Sequence, residues 1–121
     1  MSRPDVTRLT DIIEANAAIR GHLTRGDLSD GLVYDAVRAR LIEIGEAVKG
    51  VNAEFLDTEP QVPWSAIARM RDHLTHRYFD SDHAIVQDVV DNELGRLREA
   101  ARSLAERAER EGTGTAPDAE V

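Results

Sequence analysis

The chain has 121 residues, a formal net charge of −8 and no cysteine. That length fits a single domain able to bury a sizeable core, and the missing cysteine excludes a disulfide framework, a thiolate zinc site and a cysteine nucleophile. The start MSRPDVTRLTD carries no apolar signal core, no apolar run approaches the ~18 residues that span a membrane, and the acidic balance argues against a surface that is basic all over. A cytoplasmic protein with no membrane partner is expected, compatible with a reducing compartment.

Hydrophobic periodicity makes almost the whole chain helical. Val6, Leu9, Ile12, Asn16, Ile19 and Leu23 recur at three and four, predicting a helix over residues 5 to 24 with Gly26 as terminator. Ser29 and Asp30 are cap candidates for a second helix, whose stripe Val33, Val37, Leu41, Ile44, Val48, Val51 and Phe55 marks a core element. DTEPQVP interrupts the pattern, and Pro63 is placed as the first residue of a third helix carrying Trp64, Ile67, Met70 and Leu74 toward Tyr78. FDSD supplies turn and cap residues, after which Ile85, Val89, Val90, Leu94, Leu97, Ala101 and Leu104 form one long fourth helix. Beyond Glu111, GTGTAPDAEV has nothing to bury and is expected to be a disordered tail, residues 112–121, after a helical domain over 1–111. No strand pattern or internal repeat is visible. The expected fold is all-α, an antiparallel bundle of four helices, up to five.

The stretch RDHLTHRYFD, Arg71 to Asp80, concentrates unusual chemistry at the end of the third helix. From Arg69 to Tyr78 three arginines and one aspartate give +2, which leaves −10 for the rest of the chain; either an anion is bound locally in a confined cleft, or the window is an ordinary fluctuation along a charged chain. Seven residues return the azimuth to within roughly 20°, which groups Arg71 with Tyr78, whereas Arg71 and His76 lie about 140° apart on an ideal helix. Those two converge only if the helix end unwinds, if the arginine reaches round, or if two copies of the helix face each other across a dimer axis. Asp72 and His76 share a face, so the carboxylate can hold the imidazole in one tautomer and raise its basicity.

Three readings of these residues stand side by side. One is structural: cations collect at the carbonyl end of a helix, and Tyr78 and Phe79 cover the core. The second is a metal site built on His73 and His76 with Asp72, Asp80, Asp82 and His83 nearby, although the Glu-x-x-His pairs of bundle metal sites are absent. The third is phosphodiester chemistry without a metal, in which an imidazole moves a proton and a guanidinium holds a phosphate.

The order Arg71, four residues, His76, one residue, Tyr78 resembles the signature of the HEPN superfamily, in its HepT-like branch. The flanking stretches LIEIGEAVKGV, residues 41 to 51, and PWSAIARMRDHLTHRYFDSDHAIVQDVVDNELGRL are similar to that branch in order and character, so the resemblance covers about residues 5 to 105. It implies a HEPN-like bundle that acts as a homodimer, the toxin of a toxin–antitoxin system. It further implies a metal-independent ribonuclease with no cofactor, in which Arg71 and His76 of two chains meet on the dimer axis. The partner implied is a nucleotidyltransferase antitoxin that transfers AMP to Tyr78. The chain departs from the family pattern at Asp72, where asparagine is frequent, and at Gly95, where a proline often interrupts the last helix.

In physical terms, an imidazole titrates near neutrality and can take the proton of a ribose 2′-OH, while a guanidinium stabilises charge on the phosphate; His76 and Arg71 fit these roles, with Asp72 beside them. Arg69 and Arg77 are candidates for guiding the RNA backbone, or are solvated surface arginines. His73 reads as a helix-surface residue. Glu46 either pairs with Arg71 or faces solvent, and Gly45 allows a neighbouring helix to approach closely; a structural role is favoured for both. A different class of function uses the same residues: a non-catalytic dimeric partner and AMP acceptor of a nucleotidyltransferase.

Overall fold

The structure, a computed structural model, describes residues 3–76 and 79–120, with side chains described over 5–76 and 82–111. Six helices and no strand occur among the described residues: α1 (Arg3–Leu23), α2 (Gly31–Gly50), α3 (Ala53–Leu56), α4 (Trp64–Thr75), α5 (Phe79–Asn92) and α6 (Leu94–Glu120). The all-α bundle expected from periodicity is what forms. α2 is its central element, packed against α1 on one side and α4 on the other, and α6 closes the bundle against α1. Leu9, Ile12, Ile19, Val37, Leu41, Ile44, Leu74, Val86, Leu97 and Leu104 are fully buried in one continuous core.

Three helix boundaries differ from the sequence reading. The second helix stops at Gly50 and does not run on to Phe55. Val51 turns extended, Asn52 accepts the Glu54 N–H at 2.9 Å to cap the one-turn α3, and the Asn52 N–H donates to the buried Asp5 of α1 at 3.2 Å. A polar group reaching in from another helix therefore ends α2, which no local pattern encodes. Pro63 sits one place earlier than expected, as the residue before α4, where its missing N–H again costs nothing. The expected fourth helix is two helices, broken at Glu93, and FDSD falls within the start of α5 and is not a turn. Asn16, fully buried on α1, donates from Nδ2 to the Leu94 carbonyl at 3.0 Å and accepts from Arg20 Nε at 3.2 Å. Its amide thus satisfies backbone at the break and ties it to α1. At the start of α2 the cap is Asp30, whose carboxylate accepts the N–H groups of Leu32 and Val33, while Ser29 bonds Asp27. α6 is helical through Glu120, and Ala108 is the last buried residue among the described side chains.

The contact that positions the site is the approach of α4 to α2. A Cβ placed on Gly45 would collide with Cβ of Arg71 and lie 3.2 Å from both Arg71 Cγ and the Ile67 carbonyl. Glycine is needed here for space. Gly45→Ala is expected to force the two helices apart and to cost about 1–3 kcal/mol, as overpacking does; urea unfolding followed by circular dichroism measures it.

Candidate functional site

Arg71 and Asp72 lie in the third turn of α4, over the face of α2 that carries Gly45, Glu46 and Lys49. Because Glu46 and Lys49 are three apart, they occupy one side of α2 and meet the two α4 residues together. Arg71 Nε is 2.8 Å from Glu46 Oε2, an ion pair whose N–H is not aimed along a hydrogen-bond direction. Arg71 Nη1 donates to Asp72 Oδ1 at 3.1 Å, and Lys49 Nζ donates to the same oxygen at 2.5 Å. Two carboxylates and two cations thus alternate across the helix seam. The Arg71 side chain is about one third exposed although its Nε is buried, so it is held by protein yet open to solvent on one side. Hydrogen bonds first from Lys49 and then from Arg71 hold the Asp72 carboxyl below the usual aspartate range.

His76 forms the end of α4, in a right-handed conformation with φ −86° and ψ −6°, and is exposed. The helix end is anchored from beneath. Arg38 of α2 donates from Nη2 to the Leu74 carbonyl, one of the carbonyls a helix end leaves without an intrahelical partner. Asp82 of α5, only 2% exposed, faces His73 Nε2 at 3.5 Å and Arg38 Nε at 4.0 Å. A buried carboxylate needs polar or cationic neighbours, and here an arginine of α2 and an imidazole of α4 supply them. His73 is accordingly half-buried against Asp82 and is not a plain surface residue.

The structure therefore brings Arg71 and Asp72 together with Glu46 and Lys49, of which Glu46 was anticipated as an Arg71 partner and Lys49 was not. Asp72 engages Lys49 and Arg71, so an orienting role toward His76 requires its side chain to leave this pairing. Arg69 is exposed on α4. Arg77 and Tyr78 lie outside the described residues. Arg38 was also missed as a partner, and Asp82 was named beside His73 only in the metal reading; their contacts join residues 36 and 9 positions apart through the fold. Tyr34, four residues before Arg38 on α2, stacks on the His83 ring at 4.9 Å with the planes 3° apart. Burial and then the Asp82 charge push its hydroxyl pKa up. Among the described residues no group of three or more His, Cys, Asp or Glu side chains converges as a metal site would require, and no helix is long and apolar enough to cross a membrane.

The family described as "Ribonuclease HepT-like" matches residues 9–104, a span that holds every element of this site. The chain belongs to the HepT-like family. It is 34% identical over 103 residues to "Probable ribonuclease HepT" of Thermococcus cleftensis, covering 81% of this chain and 93% of that one. It is 43% identical over 67 residues to "Putative RNase MJ0127" of Methanocaldococcus jannaschii, covering 55% of each. This HepT-like chain thus spans about half the length of that relative. No solved structure matches.

The electrostatic pairing at Asp72 has a direction that can be checked. Its folded pKa is depressed, so the stability it contributes is present above the ordinary aspartate pKa and is lost as pH falls through the depressed value. Carboxyl-carbon NMR titration is expected to place the Asp72 midpoint below that of an unstructured aspartate, and to move it upward in Lys49→Ala, because Lys49 is the largest cause of the shift.

Proposed function

We propose that this protein is a metal-independent endoribonuclease that acts as a homodimer, the toxin of a toxin–antitoxin pair. The observation that carries the reading is Arg71, held by Glu46 and Asp72 at the seam of α4 with α2, five residues before His76, in a chain of the HepT-like family. The names of the relatives, a probable ribonuclease and an RNase, support the choice of RNA as substrate.

The chemistry follows from the residue types. An imidazole from His76 removes the proton of a ribose 2′-OH, whose oxygen attacks the adjacent phosphorus. The bond to the 5′-oxygen breaks, and that oxygen leaves with a proton supplied by the second chain's His76. The products are a cyclic phosphate and a free 5′-hydroxyl. Arg71 stabilises the charge that builds on the phosphate oxygens in the transition state. Positions five apart on a helix diverge by about 140°, so two chains placing Arg71 and His76 across a dimer axis supply a geometry that one helix face does not. Exposed Arg69, with Arg77, extends the positive surface along the RNA backbone.

Neutralisation is by AMP transfer from a cognate nucleotidyltransferase to Tyr78. Tyr78 follows Arg71 by seven residues in the sequence, and a phosphate attached to it pairs with the guanidinium and takes the place of the substrate phosphate. Tyr34 is the internal control: its ring is half-buried and stacked on His83.

Purified protein is expected to sediment as a dimer and to cleave RNA equally well with and without EDTA. Arg71→Ala and His76→Ala are each expected to lower the rate by about 10²-fold or more with the helical content intact, the scale of losing one general acid–base group or charge-stabilising donor. Inhibition by chelator with rescue by a divalent ion, or RNA left intact by the wild type, refutes the reading. In a second measurement, incubation with the nucleotidyltransferase and ATP followed by peptide mass mapping is expected to find AMP on Tyr78 and none on Tyr34. Neutralisation of Tyr78→Phe by the same partner would overturn the modification.

A further inference from the structure

Lys49 stands outside the Arg71, His76 and Tyr78 signature, yet its ammonium is one of two cations that converge on a single oxygen atom. Asp72 Oδ1 receives Lys49 Nζ at 2.5 Å from α2 and Arg71 Nη1 at 3.1 Å from α4. Two cations from different helices aimed at one anionic oxygen are what a non-bridging phosphate oxygen requires. With Glu46 on the Nε side of Arg71, the four charges sum to zero, so the cluster offers no net attraction to an incoming anion while the carboxylate stays in place. The four side chains run from 33% exposed at Arg71 to 54% at Glu46, with Asp72 at 49%, so its carboxylate can turn outward without opening the core. On the far side of Glu46, a groove of about 500 Å³ between α1 and α2 is lined by Asp11, Glu14, Glu43 and Glu46 against Arg8 and Arg40. That balance disfavours a polyanion along α1, and leaves the Lys49 side as the approach to Arg71.

We propose that Lys49 and Arg71 form a phosphate-binding pair whose resident occupant is the Asp72 carboxylate, so that an RNA phosphodiester binds by displacing an internal anion. Asp72 is then a competitor for substrate, and Lys49 a binding residue. The proposal rests on the reading of the protein as one that acts on RNA. It differs from a general charge effect in a specific way: removing the Asp72 charge releases two aimed cations, whereas removing another exposed acid on α2 releases none at this site. Glu43 is the fitting comparison, since it pairs with Arg40 on the same helix at 3.1 Å.

The test is binding of a fluorescent 2′-O-methyl RNA oligonucleotide, which lacks the attacking hydroxyl and stays uncleaved, measured by anisotropy over a range of salt. Asp72→Asn, close to isosteric, is expected to bind roughly fivefold tighter than the wild type, and Lys49→Ala and Lys49→Gln roughly fivefold weaker, the scale of an exposed ion pair. The Lys49 variants are also expected to reduce the slope of log affinity against log salt by about 1, the loss of one phosphate contact. Glu43→Gln is expected to bind as the wild type does. Circular dichroism confirms that each variant is folded. An unchanged or weaker affinity of Asp72→Asn, an equal gain in Glu43→Gln, unaltered binding in both Lys49 variants, or no binding by wild type and Asp72→Asn alike overturns the proposal. Cleavage of ordinary RNA by the wild type is scored separately: a protein that binds in this pattern and leaves RNA intact retains the phosphate site and loses the ribonuclease reading.

Discussion

The geometry of the site depends on how closely α4 lies on α2 where Arg71 crosses Gly45. At that point the backbone of α2 has no side chain to interpose, and the Arg71 Cβ occupies the space a methyl group would fill. The approach brings Arg71 and Asp72 within ion-pair distance of Glu46, next to Gly45, and of Lys49, one turn further along α2. If the helices were separated by even one methyl group, the long side chains would meet through water, and the guanidinium would sample many rotamers before binding a phosphate. Close packing therefore organises the electrostatics, because it removes conformational freedom from the group that must hold still.

A second constraint acts at the other end of α4. The last carbonyls of a helix have no intrahelical donors, and Arg38 supplies one to Leu74 from the central helix. Arg38 and His73 in turn make it possible to bury Asp82 at the start of α5. Removing any one of the three leaves a buried charge or carbonyl without its compensation, so the cluster behaves as a unit. Its consequence is positional: the last turn of α4, ahead of His76, is tied to both α2 and α5. The same cluster reaches Tyr34, whose hydroxyl feels the Asp82 charge, so two elements remote in sequence share one electrostatic environment.

The breaks between helices show where periodicity stops being informative. Residues 85 to 104 read as one amphipathic helix because both halves keep an apolar stripe, yet the stripe changes register at Glu93. Val86 is fully buried while Ile85 and Val90 are only half-buried, an offset that a single straight helix through Leu94 and Leu97 does not produce. Asn16 appeared within the apolar stripe of α1, and the reason a polar residue belongs there is the Leu94 carbonyl opposite. Its partner lies 78 residues away, beyond the reach of any local pattern.

The sequence by itself determined that the chain is helical, which faces of α1, α2 and α4 are buried, that Ser29 or Asp30 caps α2, and that Arg71, His76 and Tyr78 follow one another in that order. These follow from hydrogen bonding and side-chain spacing within a few turns, and such information is local. It also held the hint that Gly45 and Glu46 belong against Arg71, since a small residue beside an acid in an apolar run is unusual. The tertiary structure decided where α2 ends, where α5 passes into α6, that Lys49 and Arg71 share Asp72, and that His73 turns to a buried carboxylate. Each of these is a contact between charged or polar groups on different helices. Their energies depend on distances set only when the helices pack, so no spacing along the chain could have supplied them.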